Sequence, residues 1–103
     1  MALPQLDPEQ RAAALEKARR SRRIRAEIKQ MLKSGEVSLG DVLDRSDDDA
    51  IARMRVVEVL EALPAIGKVK SEAIMDEVGI AAGRRVQGLG PRQREALLAW
   101  FAA

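Results

Sequence analysis

The chain contains no cysteine and no histidine. This excludes thiolate nucleophiles, a Ser-His-Asp arrangement, zinc sites of the usual Cys/His kind and any thiol redox role. It agrees with a reducing compartment such as a cytoplasm. Aromatic residues make up 2%, as Trp100 and Phe101 alone, which argues against recognition by stacking bases on aromatic platforms. No stretch approaches the roughly 20 apolar residues of a membrane span. The opening "MALPQLDPEQ" lacks the basic region and apolar run of a secretory signal. What remains for a core is Leu, Val, Ile, Met and Ala, which suits an all-α fold. A chain of 103 residues is one domain, or one domain with a tail, and needs no disulfide to bury a modest core.

Charge is present in quantity but unevenly placed. The net charge is +2, with Asp7 and Glu9 in the first ten residues. Residues 11–33 carry nine basic and two acidic side chains, residues 34–63 three basic and eight acidic, and residues 64–103 six basic and four acidic. A basic arm, an acidic middle and a mildly basic end suggest a polyanionic partner on selected faces.

Asp7 reads as a helix N-cap, with Pro8 at the first helical position and Gln10 completing a capping box. The helix so begun runs to about Lys33 and stops at Gly35. Ile24, Ile28, Met31 and Leu32 recur at helical spacing and face a core. The preceding "KARRSRRIR", residues 17–25, has nothing to bury and is expected to project as a basic rod. Ser38 caps a short second helix, with Asp41 three residues on. "DRSDDD" makes a polar turn whose acids suit a helix start, and a third helix then runs to about Leu63, with Val56, Val59, Leu60 and Leu63 on its inner face and Pro64 ending it. A fourth helix follows Gly67, with Val69, Ala73, Ile74 and Val78 on one face. A glycine-punctuated connection, "GIAAGRRVQGLG", leads to a last helix from about Pro91, with Leu97, Leu98 and Phe101 inward. No alternating run is long enough for a strand. The division expected is a basic N-terminal arm over 1–33 and a helical body over 34–103.

"LPAIGKVK" carries the clearest chemistry. The first N–H groups of a helix lack partners and carry partial positive charge, so an anion can sit there. Gly67 has no Cβ to keep a phosphate away. Ile66 turns back into the core, and Lys68 and Lys70 add charge. The order apolar, Pro, any, apolar, Gly, then a helix matches helix–hairpin–helix DNA contacts. A plain corner with solvent-facing lysines is the alternative. Arg84 and Arg85 lie in the next loop, before Gly88 and a second apolar–glycine helix start at Leu89–Gly90, and can grip a backbone or enter a minor groove. Arg92 and Arg94 sit in the first turn of a helix, against the dipole preference, which points to some other use. Arg19, Arg20, Arg22, Arg23 and Arg25 surround one helix and favour contact with phosphates. Asp47, Asp48 and Asp49 are consecutive on one turn and point apart, so they read as a helix start rather than a metal site.

"MALPQLDPEQRAAALEKA", "LPAIGKVKSEAIMDEVGI" and "RRVQGLGPRQREALL" together resemble the actinobacterial-type integration host factors, a nucleoid-associated protein family, over nearly the whole chain. The resemblance implies a long N-terminal helix before a helix–two-turns–helix module, which spans about 50–103. It also implies a cytoplasmic, nucleoid location and largely sequence-non-specific binding to double-stranded DNA that bends or reshapes it. Some members assist a phage integrase in site-specific recombination. The family's phosphate turn falls on Pro64, Ile66, Gly67, Lys68 and Lys70, and its arginine loop on Arg84 and Arg85. Gln87 stands where many members carry a third arginine, and an arm rich in arginine can offset that missing charge.

The chain is expected to work as a monomer without a cofactor, metal or catalytic residue. In lyase-type repair glycosylases, which the turn also resembles, a catalytic lysine occupies the place of Val69. Two rivals stand: an RNA-binding architectural protein of ribosomal type, and an adaptor whose acidic middle docks a recombinase or polymerase.

Overall fold

In the computed structural model, residues 7–102 are described. The first six residues, which open the expected arm and carry most of the signal-peptide reading, lie outside them, as does Ala103. The elements are α1 (Pro8–Ser34), α2 (Leu39–Leu43), α3 (Asp49–Ala52), α4 (Val56–Glu61), α5 (Lys68–Val78) and α6 (Pro91–Ala102), with a 3-10 turn at Val86–Gly88. The fold is all-α.

Local chemistry sets the first two helices. The Asp7 carboxylate accepts from the Gln10 N–H at 2.7 Å, and the Gln10 side chain accepts from the Asp7 N–H at 3.1 Å. The far end of α1 closes at Gly35, whose φ of +82° suits glycine and whose N–H donates to the Leu32 carbonyl at 3.2 Å. Ser38 and Asp41 repeat the capping box for α2, at 3.1 and 2.9 Å.

The core gathers Ile28 and Leu32 of α1, Val42 and Leu43 of α2, Ile51 of α3, Val56, Val59 and Leu60 of α4, Ile74 and Met75 of α5, and Leu97 of α6. Met54, Ile80 and Val86 enter it from connecting segments. The radius of gyration is 16.0 Å, against ~13 Å for a compact chain of this length. The excess comes from α1. At 1.5 Å per residue it is about 40 Å long, and residues 8–20 are exposed on every side.

Three expectations need correction. The expected single helix up to Leu63 is two, α3 and α4, broken at residues 53–55. Arg55 is extended there, at φ −73° and ψ 142°, because the break pairs with the loop before α6. The Val56 N–H donates to the Arg84 carbonyl at 2.9 Å and the Val86 N–H to the Met54 carbonyl at 2.9 Å. The two long-range bonds replace helical ones and hold Met54 wholly buried.

The face of α5 is also different. Val69 is 81% exposed and Ala73 is exposed, while Ser71 and Met75 join Ile74 inside. Burying Ser71 costs little because its hydroxyl donates to the Lys68 carbonyl at 2.8 Å.

Finally, the rod does not project along all of residues 17–25. Ala14, Ala18 and Ser21 share a groove of about 350 Å³ with Asp49, Ala50 and Arg53 of the α3 region. Ala14 and Ala18 stay exposed on its wall, Ser21 is half-buried, and the Lys17 ammonium stands 4.0 Å from Asp49.

Candidate nucleic-acid interface

The turn between α4 and α5 is built by a short, stiff sequence. The Ile66 N–H donates to the Leu63 carbonyl at 3.2 Å, with Pro64 second and Ala65 third in the turn. Ala65 has φ +62°. Proline followed by a positive-φ residue is the signature of a type II turn. Ile66 packs half-buried against the core and anchors it.

The chain then runs extended through Gly67 and enters α5, where the first helical bond is Ser71 N–H to the Gly67 carbonyl, 2.9 Å. Asp7, Ser38 and Asp48 cap their helices with side-chain oxygens, but α5 has no side-chain cap. The N–H groups of Lys68, Val69 and Lys70 find no acceptor among the described residues. Nothing in the protein demands glycine at position 67. Its φ of −91° is open to any residue, and a Cβ there would meet nothing within 4 Å. The missing side chain leaves open space in front of three unpaired donors. Lys68 and Lys70 are exposed beside them. The arrangement can hold an oxyanion by main-chain hydrogen bonds and charge together.

A cleft of about 640 Å³ runs from this turn to α1, lined by Lys29, Gln30, Lys33, Glu58 and Glu61 with the turn residues 62–67. Lys29 is tied to Glu58 at 2.5 Å. Lys33 is exposed and has no carboxylate partner among the described residues.

The loop arginines fall into two roles. Arg84 folds over its own loop, donating from Nη1 to the Gly88 carbonyl at 3.0 Å. A Cβ on Gly88 would stand 3.1 Å from the Arg84 Cδ, so glycine there lets the arginine lie down. Arg85 instead sits in an isolated antiparallel bridge with Arg55. Gln87, Gly88 and Arg92 are exposed, while Gly90 is half-buried and donates its N–H to the Gln93 side chain at 3.0 Å.

Arg55 is the residue that reading along the chain misses. Its signal is faint: Met54 and Val56 are buried on either side of it, and Val86 follows Arg85 in the same way. Such an alternation of three residues is too short to be recognised alone.

Arg94 has a structural use. Its guanidinium pairs with Asp44 and donates to the Leu43 carbonyl, which ties α6 to the end of α2. This accounts for an arginine early in a helix.

In the arm, Arg19, Arg20, Arg22 and Arg23 are exposed. Arg20 shares a groove with Asp47, Asp48 and Asp49, whereas Arg22 and Arg25 line the other side of α3 with Arg53 and a single acid, Asp49. Two of these aspartates have local employment. Asp48 caps α3 through the Ala50 N–H at 2.9 Å, and Asp49 meets Arg53 at 3.4 Å.

The chain as a whole is similar to known proteins. A family model described as an S13-like H2TH domain matches residues 32–101. A curated relative named integration host factor, from Mycobacterium tuberculosis, is 57% identical over 98% of this chain and 97% of its own length. A relative of the same name from Streptomyces coelicolor is 52% identical over 90% of this chain and 88% of its own. A solved structure of sIHF bound to an 8 bp palindromic DNA superposes with a TM-score of 0.81 at 44% identity, covering 84% of this chain and 98% of that one.

Proposed function

This chain belongs to the integration host factor family of mycobacteria and Streptomyces, and from that premise we propose that it binds duplex DNA through its backbone, with little sequence preference, as a non-catalytic architectural component of the nucleoid. The observation that carries the reading is the uncapped start of α5, where three unpaired N–H groups face open space beside Lys68 and Lys70. A phosphodiester oxygen fits that need. The sIHF structure, solved on DNA, shares this fold.

In this reading Pro64 and Ile66 hold the turn in shape. Gly67 gives access, the amides accept one strand's phosphate, and Lys68 and Lys70 neutralise its neighbours. Arg85, Gln87 and Arg92 reach DNA from the following loop and the first turn of α6, with Arg84, Gly88 and Gly90 keeping the loop stiff. The arm over 1–33 lays Arg19, Arg20, Arg22 and Arg23 along further phosphates, while the body over 34–103 carries the turn. Contacts so spread would favour a bent duplex. The protein acts as a monomer. By bending DNA it assists a phage integrase, which needs distant sites brought together.

The acidic middle offers less to a docking partner than its composition suggests, since Asp48 is occupied as a cap and Asp49 in ion pairs. The test is a titration of fluorescent duplex DNA and duplex RNA of the same sequence, at several salt concentrations, with the parent and a Gly67→Asp, Lys68→Ala, Lys70→Ala variant. Tight, salt-dependent binding to DNA that the folded variant loses is expected. Equal binding by the variant, or preference for RNA, refutes the reading.

A further inference from the structure

We propose that Arg55 and Arg85 jointly hold one phosphate, at a seat separate from the Gly67 turn; this rests on reading the chain as a duplex DNA binder.

The two residues lie 30 positions apart in sequence and directly opposite each other in the fold. The bonds flanking them, Val56 to Arg84 and Val86 to Met54, make 55 and 85 the non-hydrogen-bonded pair of an antiparallel bridge. In that register two side chains leave the same face, with Cβ atoms about 4.5–5.5 Å apart. Like charges so placed repel and destabilise a free protein. Nothing among the described residues relieves them. Neither arginine forms an ion pair or a side-chain hydrogen bond, and both are exposed. Their neighbours in sequence are spoken for: Arg53 by Asp49 and Arg84 by the Gly88 carbonyl. Beneath the pair, Met54 and Val56 are fully buried and Val86 nearly so, so the platform is rigid. Two guanidinium forks on a rigid platform match the oxygens of a single phosphodiester.

The pair stands at the opposite end of α4 from the turn. Six residues at 1.5 Å make that helix about 9 Å long, so the two seats serve different phosphates. The claim concerns the two side chains and not the terminus of α4.

The test uses Arg55→Gln, Arg85→Gln, the double variant, and Lys68→Ala, alone and combined with Arg55→Gln. Duplex affinity is read against salt by fluorescence anisotropy, with a thermal melt of each protein. Arg55→Gln is expected to melt at or above the parent's temperature in low salt. It should weaken binding about tenfold, in line with loss of one charge-assisted bond, and lower the salt slope by about 0.9. The Arg55 and Arg85 losses should multiply to more than the double variant shows, because both report on one phosphate. Arg55→Gln and Lys68→Ala should combine as independent factors. Parental affinity and slope for Arg55→Gln, with Lys68→Ala impaired, overturns the shared seat and leaves the DNA reading standing. Independent factors for Arg55 and Arg85 overturn it as well. If every variant binds as the parent does, the DNA reading itself fails.

Discussion

Replacing Gly67 with aspartate sets two effects of opposite sign against each other. In the free protein the carboxylate would sit at the N-cap of α5, a position with extended backbone and no side-chain cap. A Cβ there meets nothing within 4 Å, so the substitution introduces no clash. Aspartate is better than glycine at an N-cap by a few tenths of a kcal/mol, and a negative charge near a helix start contributes about 0.3–1 kcal/mol more. Since a domain of this size shifts by ~4–8 °C per kcal/mol, the melting temperature should rise by several degrees. Toward DNA the same carboxylate takes the donors that a phosphate oxygen would use and adds repulsion. Losing one hydrogen bond to a charged group costs about 1.5–3 kcal/mol, which is roughly a 10- to 150-fold loss of affinity. The assay is a paired measurement, thermal melting and duplex titration at fixed salt, with Gly67→Ser as a neutral cap. A variant that is more stable and binds as tightly as the parent would show that phosphate does not use these amides. A variant that is less stable would show that the amides were not free to be capped.

Three further outcomes test other parts of the structure. Arg94→Ala should lower stability by about 1 kcal/mol, because it removes a bond to a charged group and one to a carbonyl at a partly exposed site; urea denaturation measures this, and duplex affinity should stay near the parent's. Ala65→Val should cost at least ~1–2 kcal/mol, since a β-branched residue must take a φ of +62°, whereas Ala65→Gly should equal or exceed the parent in the same denaturation. Asp41 has its pKa held below the ordinary 3.8, first by the Ser38 backbone N–H and then by its hydroxyl. A lowered pKa means stabilisation that is present above the unfolded value and lost as pH falls through the folded one. Stability against pH below about 4 should therefore be flatter in Asp41→Asn than in the parent.

Local chemistry was legible in the chain and long-range pairing was not. Asp7 with Gln10, Gly35, and Ser38 with Asp41 act within four residues of one another, so the ends of α1 and the start of α2 could be placed directly. The Gly67 turn belongs to the same class. Its open amides follow from what is absent at the cap. The break at residues 53–55 depends on partners at 84–86, and nothing near it announces an interruption. The inner face of α5 was misread because Ser71 counts as polar by type but satisfies itself on the Lys68 carbonyl. Likewise the arm meets the body at the half-buried Ser21 and through Lys17 beside Asp49, which a search for large apolar residues passes over. Arg94 was recognised as out of place, yet its partner Asp44 lies 50 residues away.

The break that could not be read ahead is also what organises the charged surface. Were α3 and α4 one helix, Arg53 and Arg55 would be ordinary helical residues pointing about 200° apart around its axis. Breaking the helix puts Arg55 into an extended segment and brings Arg85 beside it. It also fixes one end of α4, while the Pro64 turn fixes the other. Val56, Val59 and Leu60 bury α4 completely along one side, so its ends cannot move independently. A single short helix therefore sets the distance between the Gly67 amides and the arginine bridge. A fixed distance between backbone contacts selects among DNA shapes without touching a base, because only some sequences reach that shape cheaply. On the proposed reading, such a spacing acts through DNA shape rather than through base contacts, so any preference follows how easily a duplex deforms.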